Sequence, residues 1–345
     1  MRLSAISIKT VYALLTGAAL TTCIILLAGH YSFYNDTHVD ILHNVHTSEA
    51  QPQPNLESLS SQPFPQKIWQ SWKDDSEDPT ERTVGFPHQW RAVNPNWRYE
   101  RLTDANNDAY VRANFDSPIT DVFLSLNDPI LKADFLRYLI LLREGGVWAD
   151  IDVYPHQPVS KWIPDRYRDV GINLVIGIEN DHHKQPIWPG SPYSVQLCQY
   201  AVLAKPGHPA IGNLVEKVTR DLRELLESKR KQSSSSGAAI VTFEEVTSTT
   251  GPFAFTKVMM DYFSKVTGES HNGDELDRLP EPRVIGDVLV LPKDSFGWLP
   301  QEHTHEKGDP MILVEHLFIG SWRAGSSRLR CVEKLGRHRT TCGHW

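Results

Sequence analysis

The sequence predicts an α/β body with a mixed, largely parallel central sheet, carried behind one N-terminal transmembrane helix. Three observations predict it. Apolar segments of strand character alternate with segments of helical period from Phe64 onward. A breaker-poor apolar stretch, residues 128–142, runs into Gly145-Gly146 and then into an alternating segment, residues 147–154. Residues 11–29 form an uncharged run of 19 residues, close to the roughly 20 apolar residues that cross a bilayer as a helix.

Taken in order, residues 1–10 carry Arg2 and Lys9 and no acid, so they read as a cytosolic tail. A cleaved signal peptide competes with an anchor over residues 11–29. Its apolar core is usually only about 7–15 residues, and Leu26-Leu27-Ala28-Gly29 offers no good cleavage pattern. The expected result is a single-pass type II protein with a luminal body. Asn35-Asp36-Thr37 is then a glycosylation acceptor. Residues 30–63 are polar and rich in Ser, Gln, Pro and His, which cannot bury a core, so they read as a stem. The folded body is expected over residues 64–323 and a basic tail over 324–345.

Within the body, residues 68–71 read as a first strand, and Asn94-Pro95-Asn96 as a turn before a second. Residues 104–115 suggest a helix, 170–178 a buried strand, and 193–203 either strand or helix. Residues 210–230 have a 3.6 period, with Ile211, Leu214, Val218, Leu222 and Leu225 on one face. Ser233 to Gly237 reads as a surface loop, 253–266 as a helix, 284–291 as a strand and 311–318 as a last apolar segment. A net charge of −7 argues against a nucleic-acid binder. Four cysteines are too few for a disulfide scaffold. Cys331 and Cys342 sit in the luminal tail, where an oxidising compartment permits a disulfide, and Cys198 reads as a buried thiol.

The chemistry concentrates after the glycine pair. On a strand over residues 147–154, Val147, Ala149, Ile151 and Val153 share one face; Trp148, Asp150, Asp152 and Tyr154 share the other. Two carboxylates held that close repel unless a positive charge sits between them, and hard oxygen ligands suit magnesium or manganese. The competing reading is an exposed strand face with two solvated aspartates. One helix earlier, Asp134 and Arg137 are three apart and share a face. An exposed pair there would contribute only about 0.3–0.5 kcal/mol. The apolar neighbours Phe135, Leu136, Tyr138 and Leu139 suggest a covered helix instead, in which an Asp and an Arg must be paired or face a ligand.

Lys132-Ala-Asp134-Phe-Leu-Arg137-Tyr followed by Gly145-Gly-Val-Trp-Ala-Asp150-Ile-Asp152 resembles the sugar-nucleotide-binding region of glycosyltransferase family 32. Within it, the chain looks like the fungal Golgi α-1,6-mannosyltransferases. The resemblance extends over Lys67-Ile-Trp69-Gln-Ser-Trp72, Trp90 with Asn94-Pro95, Ala204-Lys-Pro-Gly-His208-Pro, Thr250-Gly-Pro252, and His316 with Gly320-Ser321-Trp322. It implies a GT-A-type fold, a GDP-mannose donor, a Mn2+ (or Mg2+) ion and a retaining reaction. Asp152 would bind the metal, Asp150 would serve the donor and the metal, and His316 would complete the metal shell. Asp150 and Asp152 would be the catalytic pair. Asp134 and Arg137 would hold sugar hydroxyls, Trp69 would lie near the base, and Gly320, Ser321 and Trp322 would approach the diphosphate. The implied acceptor is a high-mannose N-glycan on glycoproteins, on the luminal side of the Golgi membrane, and other mannosyltransferases are possible complex partners. The alternatives are a mannan polymerase subunit, an inositol-phosphoceramide mannosyltransferase, or an inactive scaffold of the same family.

Overall fold

The computed structural model describes residues 59–75, 85–236, 240–297, 309 and 311–319. The expected cytosolic tail, anchor, Asn35 acceptor, most of the stem, Gly320 to Trp322 and the Cys331/Cys342 tail lie outside the described residues. Among the described residues no helix is long and apolar enough to cross a membrane. Packing starts at Leu59, five residues ahead of the expected start at Phe64. The Leu59 side chain is buried, and Lys205 Nζ donates to its carbonyl at 2.9 Å.

The chain runs through β1 (Lys67–Trp72), α1 (Gly85–Val93), β2 (Arg98–Thr103), α2 (Asn107–Asn114), α3 (Ile119–Leu124), α4 (Pro129–Arg143), β3 (Gly146–Ala149) and β4 (Val153–Pro155). It continues through β5 (Leu174–Asp181), β6 (Val195–Leu197), β7 (Ala201–Ala204), α5 (Pro209–Ser236), α6 (Phe243–Thr249) and α7 (Pro252–Thr267). It closes with β8 (Arg283–Ile285), β9 (Val288–Leu291), α8 (Lys293–Phe296) and β10 (Val314–His316). An 8-stranded sheet has the order β2-β1-β3-β7-β5-β9-β8, with β6 on β5. The pairs β1/β2, β1/β3 and β5/β9 are parallel. The pairs β3/β7, β5/β7, β5/β6 and β8/β9 are antiparallel, so the sheet is more evenly mixed than the expected largely parallel one. The turn Gly286-Asp287 joins the antiparallel pair β8 and β9 directly, whereas a parallel neighbour needs a long crossover.

Two apolar layers sandwich the sheet. Helices α4, α5 and α7 cover one face, where Phe135, Leu139, Leu214, Val218, Phe255 and Met259 are fully enclosed. On the other face Trp90, Trp162, Phe296 and Val314 pack on Val147, Val175 and Leu203.

Helix α4 is the central element. Asp128 caps it, accepting from Ile130 N at 3.1 Å, and Pro129 opens it with its φ already helical. Nine of its residues, Leu131 and Asp134 through Leu141, are buried. The glycine pair ends it in the left-handed region, with φ of 63° and 83°. Close passage adds a second demand. A Cβ on Gly145 would stand 2.7 Å from Pro206, and one on Gly146 would stand 2.6 Å from the Lys67 carbonyl.

Three sequence expectations are corrected. The strand over residues 147–154 is broken into β3 and β4, because Val153 N bonds back to Asp150 O at 3.0 Å and folds Asp150 to Asp152 into a turn. The serines do not form a loop, since α5 runs through Ser236. Each serine costs a helix only about half a kcal/mol, and no glycine or proline intervenes before Gly237. The segment 284–291 is a hairpin whose Gly286-Asp287 turn serves a buried polar knot.

That knot explains Lys205-Pro-Gly-His208. Nε2 of the fully buried His208 donates to Asp287 at 3.1 Å, and its Nδ1 accepts from Ala210 N at 3.2 Å. Tyr262 Oη and Asn173 Nδ2 also donate to the Asp287 carboxylate, at 2.7 and 2.8 Å. The knot ties the starts of α5 and β5 to α7 and the β8–β9 turn. Burial alone would raise the Asp287 pKa. The donors His208, Tyr262 and Asn173 outweigh it and hold the group at about 2, against 3.8 ordinarily. A depressed carboxyl contributes stability above its unfolded pKa and loses it as pH falls toward the folded one. The stability gap between wild type and Asp287→Asn, measured by urea unfolding, is expected to narrow by about 1 kcal/mol from pH 6 to pH 3. A gap constant over that range would disprove the assignment.

Candidate active site

The site forms where β3 leaves the sheet. Strand alternation sends the Trp148 and Asp150 side chains the same way, and Trp148 Nε1 donates to Asp150 Oδ1 at 2.7 Å. Arg137 reaches Asp150 from α4, with Nε to Oδ1 at 3.2 Å and Nη2 to Oδ1 and Oδ2 at 2.8 and 3.0 Å. Its remaining arm, Nη1, donates to Asp134 Oδ1 at 2.7 Å. Thr250 Oγ1 donates to the other Asp134 oxygen at 2.9 Å. Arg137 is 2% exposed and Asp134 1%. The pair is therefore not poised over open space for sugar hydroxyls. It stands behind Asp150 and fixes it, which sequence spacing alone did not reveal.

Asp152 is delivered differently. Its carboxylate accepts from Ile319 N at 2.9 Å and contacts His316 Nε2 at 3.1 Å, and its carbonyl accepts from Leu317 N at 3.1 Å. Strand β10 pairs antiparallel with β4, His316 opposite Val153, so the distant histidine arrives beside the aspartate turn. Phe318 takes φ of 47°, a left-handed bend uncommon for a bulky residue, between the two amides that bind Asp152. Tyr200 and Phe318 flank the imidazole, with ring centroids 4.1 and 4.0 Å away.

Ligand atoms of Asp150, Asp152 and His316 lie within 4.8 Å of one another. A small contraction suits a cation with ligand distances of about 2.0–2.2 Å. Two further observations fit a divalent ion. His316 Nδ1 is buried without a hydrogen-bond partner, so the ring has a nitrogen to spare. Two carboxylates, Asp134 and Asp150, share one guanidinium, and Asp152 adds a third acid beside them. Burial pushes the Asp134 carboxyl up to about 6 against the pull of Arg137 and Thr250. Burial opposes charging His316, but Asp152, Asp150 and Glu179 together hold its pKa above the ordinary value. The same pairing, with Ile319 N–H, keeps Asp152 below the ordinary carboxylate range despite burial.

Of the expected site residues, the structure brings Asp134, Arg137, Asp150, Asp152 and His316 together. Trp69 is 6% exposed, packs on Tyr110 and donates Nε1 to Gly145 O at 3.2 Å, which leaves little ring for a base. Sequence reasoning missed Trp148, Tyr200, Thr250, Gln70 and Glu179. Trp148 was legible from the alternation that places it with Asp150. Glu179, two residues before the end of β5, interacts with His316 and Asp150, its carboxyl held up by burial and hydrogen-bonded by Gln196. Cys198 is buried and free, as its surroundings predict.

A family described as the glycosyltransferase sugar-binding region containing a DXD motif matches residues 80–169. The chain is 35% identical over 268 residues to the initiation-specific alpha-1,6-mannosyltransferase of Schizosaccharomyces pombe, covering 75% of this chain and 64% of that protein. It thus spans just under two thirds of that relative's length. It is 31% identical over 293 residues to the protein of the same name in Candida albicans, covering 76% of this chain and 73% of that one. Among solved structures, the PaToxG glycosyltransferase matches at 13% identity with a TM-score of 0.38, over 62% of this chain and 76% of that one, a likeness too faint to bear on the fold.

Arg137→Leu is expected to lower unfolding stability by about 3–5 kcal/mol in thermal or urea melts, because it strands two carboxylates. His316→Ala is expected to keep the fold and lose Mn2+ binding by calorimetry. Wild-type Mn2+ affinity in His316→Ala would remove it from the ligand set.

Proposed function

The chain belongs to the glycosyltransferase family whose sugar-binding region contains a DXD motif, and from that premise we propose a metal-dependent, retaining α-1,6-mannosyltransferase with a GT-A-type nucleotide-sugar-binding fold. It moves mannose from GDP-mannose to a mannose-containing N-glycan at the luminal face of the Golgi membrane, held there by residues 11–29. The names of the two relatives support the sugar and the linkage. The observation that carries the chemistry is the meeting of Asp150, Asp152 and His316, from segments 164 residues apart, at one ion-sized gap.

Asp152, His316 and the freer Oδ2 of Asp150 would hold Mn2+ or Mg2+. A bound cation supplies Lewis-acid stabilisation of the charge that develops on the diphosphate as it departs. Arg137 holds Asp150 fixed in angle, so little reorganisation is needed at the moment of reaction. Tyr200 and Phe318 pack against the histidine ring. Asp150, on the side of Arg137 and Trp148, is the carboxylate placed to steady positive charge at the sugar carbon. Among the described residues no side chain is placed as an obvious covalent nucleophile. Front-face attack, with the departing phosphate taking the acceptor proton, is the retaining route we assign, and a trapped glycosyl-enzyme adduct would overturn it.

The decisive assay incubates the full-length chain in detergent with GDP-mannose, Mn2+ and a panel of high-mannose glycans and inositol-phosphoceramide, followed by linkage analysis. The expected product is an α-1,6-mannosylated N-glycan, with Asp152→Ala slower by about 10²–10³-fold or more. Wild type indistinguishable from Asp152→Ala would defeat the enzyme reading in favour of a scaffold. Transfer to the glycolipid alone would replace the acceptor and leave the mechanism standing.

A further inference from the structure

The residues that bind Asp150 and Asp152 through their side chains leave one question open: what sets the backbone of the turn that carries both. The ladder between β1 and β3 consists of two pairs, Ile68 with Val147 and Trp69 with Trp148. Beyond it β3 must leave the sheet to form the Asp150–Val153 turn, and the Asp150 carbonyl loses the strand partner it would otherwise face. That carbonyl closes the turn by accepting from Val153 N at 3.0 Å. It has a second lone pair, and Gln70 fills it. Nε2 of Gln70 donates to Asp150 O at 2.9 Å.

Gln70 is well suited to this. It is fully enclosed, with 0% exposure, on the strand next to β3. A buried amide is costly unless both ends are satisfied. Its oxygen accepts from Tyr99 Oη at 2.8 Å, which fixes which end of the amide faces Asp150. On the opposite side the Asp150 amide donates to Tyr200 O at 2.9 Å. The peptide units on both sides of the Asp150 Cα are thus pinned from two strands, and the direction of its side chain follows.

We infer that Gln70 is a positioning residue for the cation site, acting through the Asp150 carbonyl with Tyr99 orienting its amide. It rests on the metal reading above. Outer-shell partners of this kind typically contribute about 10–100-fold to metal affinity. In Gln70→Glu the Tyr99 bond survives but a carboxylate oxygen opposes the Asp150 carbonyl. In Tyr99→Phe the donor stays and only its orientation is loosened.

The test measures Mn2+ binding by calorimetry, with the melting temperature of the metal-free protein, for full-length wild type, Gln70→Glu, Gln70→Leu and Tyr99→Phe. The expected result is Mn2+ affinity about 10-fold or more weaker in both Gln70 variants, with a smaller loss in Tyr99→Phe. The folded fraction should titrate this way whatever the change in melting temperature. Wild-type affinity in a folded Gln70 variant would overturn the inference, and a lowered melting temperature with unchanged affinity would reduce Gln70 to a packing residue. Failure of the wild type itself to bind Mn2+ would overturn the metal reading and this inference with it.

Discussion

A single buried guanidinium sets the terms for the rest of the molecule. Arg137 lies fully inside the protein between Asp134 and Asp150 and uses Nε and both terminal nitrogens on them. Charges at that depth are tolerated only when paired and hydrogen-bonded. Helix α4 must therefore present Asp134 and Arg137 on one face, Thr250 must approach from the start of α7, and β3 must end where Asp150 reaches the fork. The Gly145-Gly146 turn makes the last condition possible. It reverses the chain in so little space that any side chain there would strike Pro206 or Lys67.

The turn that follows is a meeting point of elements remote in sequence. β1 contributes Gln70, α1 donates Trp90 Nε1 to Val153 O, the stretch before β7 contributes Tyr200, and β10 brings His316 with the amides of Leu317 and Ile319. Asp150 and Asp152 thereby acquire different surroundings despite being two residues apart. One is clamped by a cation and an indole. The other is bound by backbone amides and an imidazole, and is the less exposed of the two. That asymmetry suits the proposed chemistry, in which both carboxylates would hold the ion and Asp150 also faces the sugar.

A second buried polar cluster stands away from the site. The His208–Asp287–Tyr262–Asn173 knot anchors the start of α5 and the far strands without touching the aspartate turn. Lys205-Pro-Gly-His208, a mark of family resemblance in the sequence, is explained by that structural task. The end of β3 is hydrogen-bonded from several elements, and a surround held in place is the condition for preorganised electrostatics.

Local chemistry determined much of this protein. The period of α4 with its Asp128-Pro129 start, the glycine stop, the helical stripe from Ile211 to Leu225 and the aspartate pair follow from propensity and spacing, and the structure has each of them. The sequence also put Asp134 with Arg137 and required that a covered pair be satisfied. Only the tertiary structure decided how. Alternation carried one strand through Asp150 and Asp152, but a hydrogen bond back to the Asp150 carbonyl broke it. The family resemblance put Trp69 near the base, but β1 turns Trp69 into the core. Nothing local to residue 316 says that it meets residue 152, because strand pairing over such a separation is fixed by the sheet and not by neighbours in the chain. Gln70 was invisible for the same reason: its partner is a backbone carbonyl, and a carbonyl leaves no mark in the identity of the residue that bears it.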